Sequence, residues 1–153
     1  MAASTYLIAL GSNRAAPRRA LVRGAGAVGA IVQSKAVDSA PLGLGGRTFA
    51  NAVALIESDL DPPALLARLK AIERAFGRRP GRRWGPRVLD LDIIGWSGGI
   101  WASPGLSIPH PAFRTRRFVL APLVEVAPGW RDPVTNLTAR QLLSRLDRGR
   151  PRP

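Results

Sequence analysis

No cysteine occurs in the 153 residues, and His110 is the only histidine. The first absence excludes disulfides and thiolate metal sites; the second excludes multi-histidine zinc centres. Acids are scarce as well. Ten Asp and Glu stand against 23 Lys and Arg, a formal charge of +13 that is mostly arginine. Such a surplus points to a polyanionic partner: nucleic acid, an anionic membrane or a phosphate-rich small molecule. Part of it can equally follow from the Gly-, Ala- and Arg-rich composition. No apolar run approaches the ~20 residues that span a bilayer, and Ala2 to Leu10 has no basic leader ahead of its apolar residues. A cytoplasmic protein with no membrane partner is expected. Hydrophobic content of 46% over this length describes one globular domain, taken as residues 1–147, with 148–153 as a disordered basic tail.

Ser4 to Leu10 reads as a β-strand closed by the turn cluster Gly11-Ser12-Asn13. Pro17 opens a helix whose stripe is Ala20, Leu21, Ala25, Val28 and Ile31, weakened by Gly24, Gly26 and Gly29. Val32 to Ala40 reads as a second strand, followed by a glycine-rich loop from Pro41 to Gly46. Thr48 to Ile56 is a third, with Phe49, Asn51, Val53 and Leu55 on one face. An amide two residues from an aromatic ring can seat a flat polar heterocycle; it is also what the edge of an ordinary core looks like. Asp61 caps the next helix, Pro62 starts it, Leu65, Leu69, Ile72 and Phe76 line it, and Gly77 stops it. Beyond the fourth strand, Pro122 argues that any helix between Phe113 and Pro128 starts late, and Val134 to Leu146 reads as a terminal helix. The order βαββαβ is ferredoxin-like: an α+β fold, an antiparallel sheet with helices packed on one face, extended by C-terminal elements.

The stretch Arg83-Trp84-Gly85-Pro86-Arg87-Val88-Leu89-Asp90-Leu91-Asp92-Ile93-Ile94 organises the rest. A basic loop feeds an apolar strand in which alternation sets Asp90 and Asp92 on the same face, their Cα atoms roughly 6.5 to 7 Å apart. Acids on a strand most often form a solvated face. Here they interrupt an apolar run, where unpaired carboxylates would cost several kcal/mol, so a cation is expected opposite them. Mg²⁺ takes one or two carboxylates and completes its shell with water and phosphates, and Arg78, Arg79, Arg82, Arg83 and Arg87 lie just upstream. Metal beside a polycation suggests a polyphosphate ligand.

Several blocks then fall in order: Leu10-Gly11-Ser12-Asn13, Pro41-x-Gly43, Phe49-Ala50-Asn51-Ala52-Val53, Gly77-Arg78, the stretch above, Ile108-Pro109-His110-Pro111, and Arg116-x-Phe118-Val119-Leu120-x-Pro122-Leu123. Together they resemble the 6-hydroxymethyl-7,8-dihydropterin pyrophosphokinase family over about Tyr6 to Pro128. The resemblance implies transfer of pyrophosphate from MgATP to the hydroxymethyl group of the reduced pterin, giving AMP and the pterin diphosphate of folate biosynthesis. It implies two Mg²⁺ ions held by Asp90 and Asp92, with Arg78 and Arg87 joining those acids in catalysis. Lys70, Glu73, Arg78, Arg83, Trp84, Arg87, Ile93, Ser107, His110 and Arg116 would surround ATP. Ser39, Ala40, Leu42, Phe49, Asn51, Trp84 and Phe118 would hold the pterin, the two phenylalanines stacking on its ring. A transient contact with the next enzyme of the pathway is a further implication.

A nucleic-acid-binding module is the main rival, since sheets of this type serve RNA recognition and the charge suits it. No Lys/Arg-Gly-Phe-Gly-Phe strand is present, however, and bare Asp90 and Asp92 would repel phosphates, so no nucleic-acid partner is expected. A P-loop hydrolase is excluded by the lack of Gly-x-x-x-x-Gly-Lys-Ser/Thr.

Overall fold

The computed structural model describes residues 3–14, 16–40, 48–77 and 88–149. Its elements are β1 (Ser4–Ser12), α1 (Pro17–Val28), β2 (Val32–Gln33), β3 (Val37–Ser39), β4 (Phe49–Ser58), α2 (Pro62–Ala75), β5 (Asp90–Trp96), β6 (Trp101–Ser103), β7 (Leu106–Ile108), α3 (Arg117–Val126) and α4 (Ala139–Arg148). Period-two alternation gives the sheet two apolar faces. Tyr6, Ile8 and Leu10 of β1, Ala50, Ala52, Ala54 and Ile56 of β4, and Leu91 and Ile93 of β5 pack under α1 and α2. Leu7, Val53 and Ile94 pack under α3 and α4. The expected ferredoxin-like core with helices on one face is therefore present, and the C-terminal extension roofs the other. All strand pairings are antiparallel, with β1 between β4 and β5 and with β2 and β3 beyond β4. Among the described residues β5 is an edge strand.

Local chemistry accounts for most boundaries. The Asp61 carboxylate accepts from the Ala64 N–H at 2.9 Å to cap α2, as expected from Pro62 in the next position. Gly29 takes a left-handed conformation (φ 78°) to close α1. Gly24, read as a weakness, is instead a close-packing point: a Cβ there would lie 2.8 Å from Leu89 Cδ1.

Four expectations need correction. The strand expected over Val32 to Ala40 is two strands, because the register moves from Gln33 opposite Ala54 to Val37 opposite Asn51, one residue longer on the β2–β3 side. Ser34 occupies that irregularity, its Oγ accepting from the Val53 N–H at 2.9 Å. Ile31 belongs to no helical stripe; it lies past Gly29, 56% exposed. Pro122 does not delay α3, which starts at Arg117; its ring is buried against the core, and that burial offsets the missing N–H. The terminal helix begins at Ala139, not Val134, because Thr138 and Gln141 form a capping box. The β6–β7 hairpin was not foreseen, and of the expected tail Arg148 closes α4 while 150–153 lie outside the described residues. No helix among the described residues is long and apolar enough to cross a membrane.

Gly95 of β5 lets the Trp130 indole lie on the strand; an added Cβ would sit 2.6 Å from Trp130 Cζ2. Trp130 in turn meets Phe113 edge-to-face at 5.7 Å, so the ring has little room to retreat. Gly95→Ala is expected to cost about 1–3 kcal/mol, read as a lower urea midpoint with an unchanged m-value.

Candidate active site

The site is built where three strands run side by side. Leu89, Leu91 and Ile93, at 0%, 0% and 3% exposure, anchor the strand in the α1–α2 core. Asp90 and Asp92 consequently face the other side with Ile94, as alternation predicts. Asp90 pairs with Gly11 and Gly11 with Asn51, so amide, glycine and acid form one row across β4, β1 and β5. A Cβ at Gly11 would make ordinary contacts, 3.5 Å from Asn51 Oδ1 and 3.6 Å from Phe49 Cδ1, so the glycine leaves that space between the side chains unfilled.

Above this row lies a cavity of about 230 Å³. Its walls include Asp90, Asp92, Lys70, His110 and Arg116 on the charged side, and Ser39, Ala40, Phe49, Asn51 and Phe118 on the other. Ten of the expected site residues are thus brought together. Leu42, Arg78, Arg83, Trp84 and Arg87 lie outside the described residues. Three expected ATP contacts are not on the cavity wall. Glu73 is 2% exposed and bonded to the Leu91 N–H, Ile93 points into the opposite core, and Ser107 sits exposed in β7 opposite Ala102. Sequence reasoning named no role for Ala9, Gly11, Ile94 or Val119, which also line the cavity. Gly11 carried a signal in its place at the end of an apolar strand; the others are apolar residues whose position depends on register.

The polar groups are oriented. Asn51 Nδ2 donates to Val37 O at 3.2 Å and to Ser39 Oγ at 2.9 Å, which uses both of its hydrogens and leaves Oδ1 to accept from a ligand N–H or amine. His110 Nδ1 accepts from the Ala112 N–H at 3.1 Å, so the neutral ring carries its proton on Nε2. Burial pushes the His110 pKa down, helped by the Arg116 charge and opposed by Asp92. Arg116 occupies the N-cap position of α3, and its guanidinium stands 5.8 Å from the Phe118 ring centroid, a cation–π contact that ties the cationic wall to the aromatic one.

Among the described residues no cluster of three or more Asp, Glu, His or Cys could form an all-protein metal cage. Two carboxylates on one strand, opening into a cation-lined cavity, suit Mg²⁺ that draws its remaining ligands from water and substrate phosphates.

Residues 7–128 match the family model described as 7,8-dihydro-6-hydroxymethylpterin-pyrophosphokinase (HPPK). The chain belongs to the HPPK family. It is 43% identical over 99 residues to the 2-amino-4-hydroxy-6-hydroxymethyldihydropteridine pyrophosphokinase of Synechocystis, a match covering 65% of this chain and 51% of that one. To the enzyme of the same name from Pseudomonas aeruginosa it is 38% identical over 133 residues, 82% of each. The match therefore spans about half of the Synechocystis protein and most of the Pseudomonas one. In fold it is similar to HPPK-DHPS of Plasmodium falciparum solved with pteroate, with a TM-score of 0.73 at 14% identity over 94% of this chain and 43% of that chain. Every residue lining the cavity, from Ala9 to Val119, falls inside the HPPK match, whereas α4 lies beyond it.

Proposed function

We propose that this HPPK-family chain transfers pyrophosphate from MgATP to the hydroxymethyl oxygen of 6-hydroxymethyl-7,8-dihydropterin, a step of folate biosynthesis. The observation that supports the reading is the single row Asn51–Gly11–Asp90, which sets an amide and a carboxylate in one cavity. Asn51 Oδ1 accepts from the pterin edge while Phe49 and Phe118 offer aromatic faces to its ring, each stacked pair worth about 0.5–1.5 kcal/mol beyond burial. Asp90 and Asp92 would hold two Mg²⁺ ions, which supply neutralisation of the triphosphate charge. His110, neutral and protonated on Nε2, donates to a phosphate oxygen; Arg116 and Lys70 add fixed positive charge. The alcohol oxygen forms a bond to Pβ and releases its proton to solvent, the bond from Pβ to the α,β-bridging oxygen breaks, and AMP leaves with that oxygen. Positioning and charge suffice, with no covalent nucleophile. Arg78, Arg83, Trp84 and Arg87 complete the ATP side on the strength of the family motif alone. A transient contact with the enzyme that consumes the diphosphate belongs to the same reading, supported by the pairing of HPPK with DHPS in the Plasmodium protein.

The test is AMP release from ATP and Mg²⁺ with and without the reduced pterin. AMP is expected only when the pterin is present. Steeply salt-dependent RNA binding with no AMP would favour the nucleic-acid module instead.

A further inference from the structure

The clearest unused group is Glu73. It is the most buried of the carboxylates on helices, 2% exposed beside the outer edge of β5, where a charged group is costly unless its oxygens are engaged. Both are. Oε2 accepts from the Leu91 N–H at 2.7 Å, and Oε1 lies 3.3 Å from the Lys70 ammonium. Leu91 is the residue between Asp90 and Asp92. Among the described residues β5 has β1 on one side only, so a main-chain N–H on its far side has no neighbouring strand to receive it. Lys70, four-ninths exposed at 44%, lines the cavity that holds the two acids.

We propose that Glu73 is a positioning residue of the two-aspartate site, one oxygen pinning the main chain between Asp90 and Asp92 and the other holding the Lys70 cation beside them. Pinning Leu91 fixes the pitch of both acids at once, because they are its immediate neighbours and share a face. Holding Lys70 places a positive charge where incoming phosphates add negative charge. Glu73 thus acts through other groups and does not touch substrate. The proposal rests on the pyrophosphoryl-transfer reading for its kinetic consequences and on geometry alone for its metal consequence.

The experiment compares the full chain with Glu73→Gln and Glu73→Ala. Mn²⁺ affinity is measured by electron paramagnetic resonance with a non-hydrolysable ATP analogue, alongside kcat, the KM for each substrate, and Tm. Glu73→Ala is expected to weaken Mn²⁺ binding and lower kcat by about 10- to 100-fold, with the pterin KM unchanged, because partners behind metal-binding carboxylates act on this scale. In Glu73→Gln the amide oxygen still accepts from Leu91, so Mn²⁺ affinity and kcat return to within about fivefold of wild type, while the ATP KM stays raised because the amide nitrogen cannot hold Lys70. A Glu73→Ala variant that loses only Tm, or a glutamine variant as impaired in Mn²⁺ binding as alanine, overturns the proposal. If the wild-type chain forms no AMP, the reaction reading falls on its own, and the Mn²⁺ comparison still decides the role of Glu73.

Discussion

Replacing Asp92 with alanine is expected to remove AMP formation almost completely while leaving the fold intact. The side chain is exposed on the cavity side of β5, so its loss opens no hole in either core. What disappears is half of the carboxylate pair available to Mg²⁺. Metal-based charge stabilisation is worth several kcal/mol, and 4 kcal/mol corresponds to about a thousandfold in rate. Asp92→Asn should fall nearly as far, since it keeps the shape and loses the charge. AMP release under saturating ATP and pterin, with far-UV circular dichroism as the control for folding, decides the matter. Activity within tenfold of wild type in either variant would mean that the acid pair does not carry the chemistry.

The largest stability effect is expected far from that cavity, at Asp132. Its carboxylate is fully buried and receives Arg114 Nε at 2.5 Å and Nη2 at 2.7 Å, the Thr135 hydroxyl at 2.7 Å and the Val134 N–H at 3.0 Å. Burial pushes this carboxyl up, but hydrogen bonds from Arg114, Thr135 and Val134 outweigh it and hold the group at about 2 against an ordinary 3.8. The loop that these bonds organise joins the α3 region to α4. Asp132→Ala would strand a partly buried guanidinium, and breaking such a pair typically costs about 3–5 kcal/mol, roughly 6–20 °C in Tm for a chain of this size. The pH dependence follows from the lowered pKa. The stabilisation is complete above the unfolded value near 3.8 and is lost as pH falls toward about 2. Wild-type acid unfolding should therefore steepen across that window and the variant should lack this component. Equal Tm values at pH 7 for the two proteins would contradict the assignment.

Much of the site was legible because one period governs β5: two acids at alternate positions of an apolar strand need no tertiary knowledge to be placed together. The α2 cap was equally local, requiring only Asp61 and Pro62. The break between β2 and β3 was not legible, since it turns on Ser34 bonding Val53 of another strand through both its main-chain N–H and its hydroxyl. Pro122 misled for a similar reason: propensity opposes it in a helix, while burial against the sheet favours it, and only packing reveals the second term. Glu73 was expected beside ATP, and its burial instead depends on how β5 comes to lie beside α2.

The Asn51–Gly11–Asp90 row has one more consequence. Two strand-to-strand steps at roughly 4.8 Å each separate Asn51, which on the proposed reading grips the acceptor, from Asp90, which on that reading grips the donor through its metal. That span is a property of the sheet's own hydrogen-bonded lattice, so exchanging side chains can alter how tightly either ligand is held without lengthening or shortening the reach between them. Only a slip of strand against strand could change it, and a slip by one would turn Asn51 to the far side of the sheet.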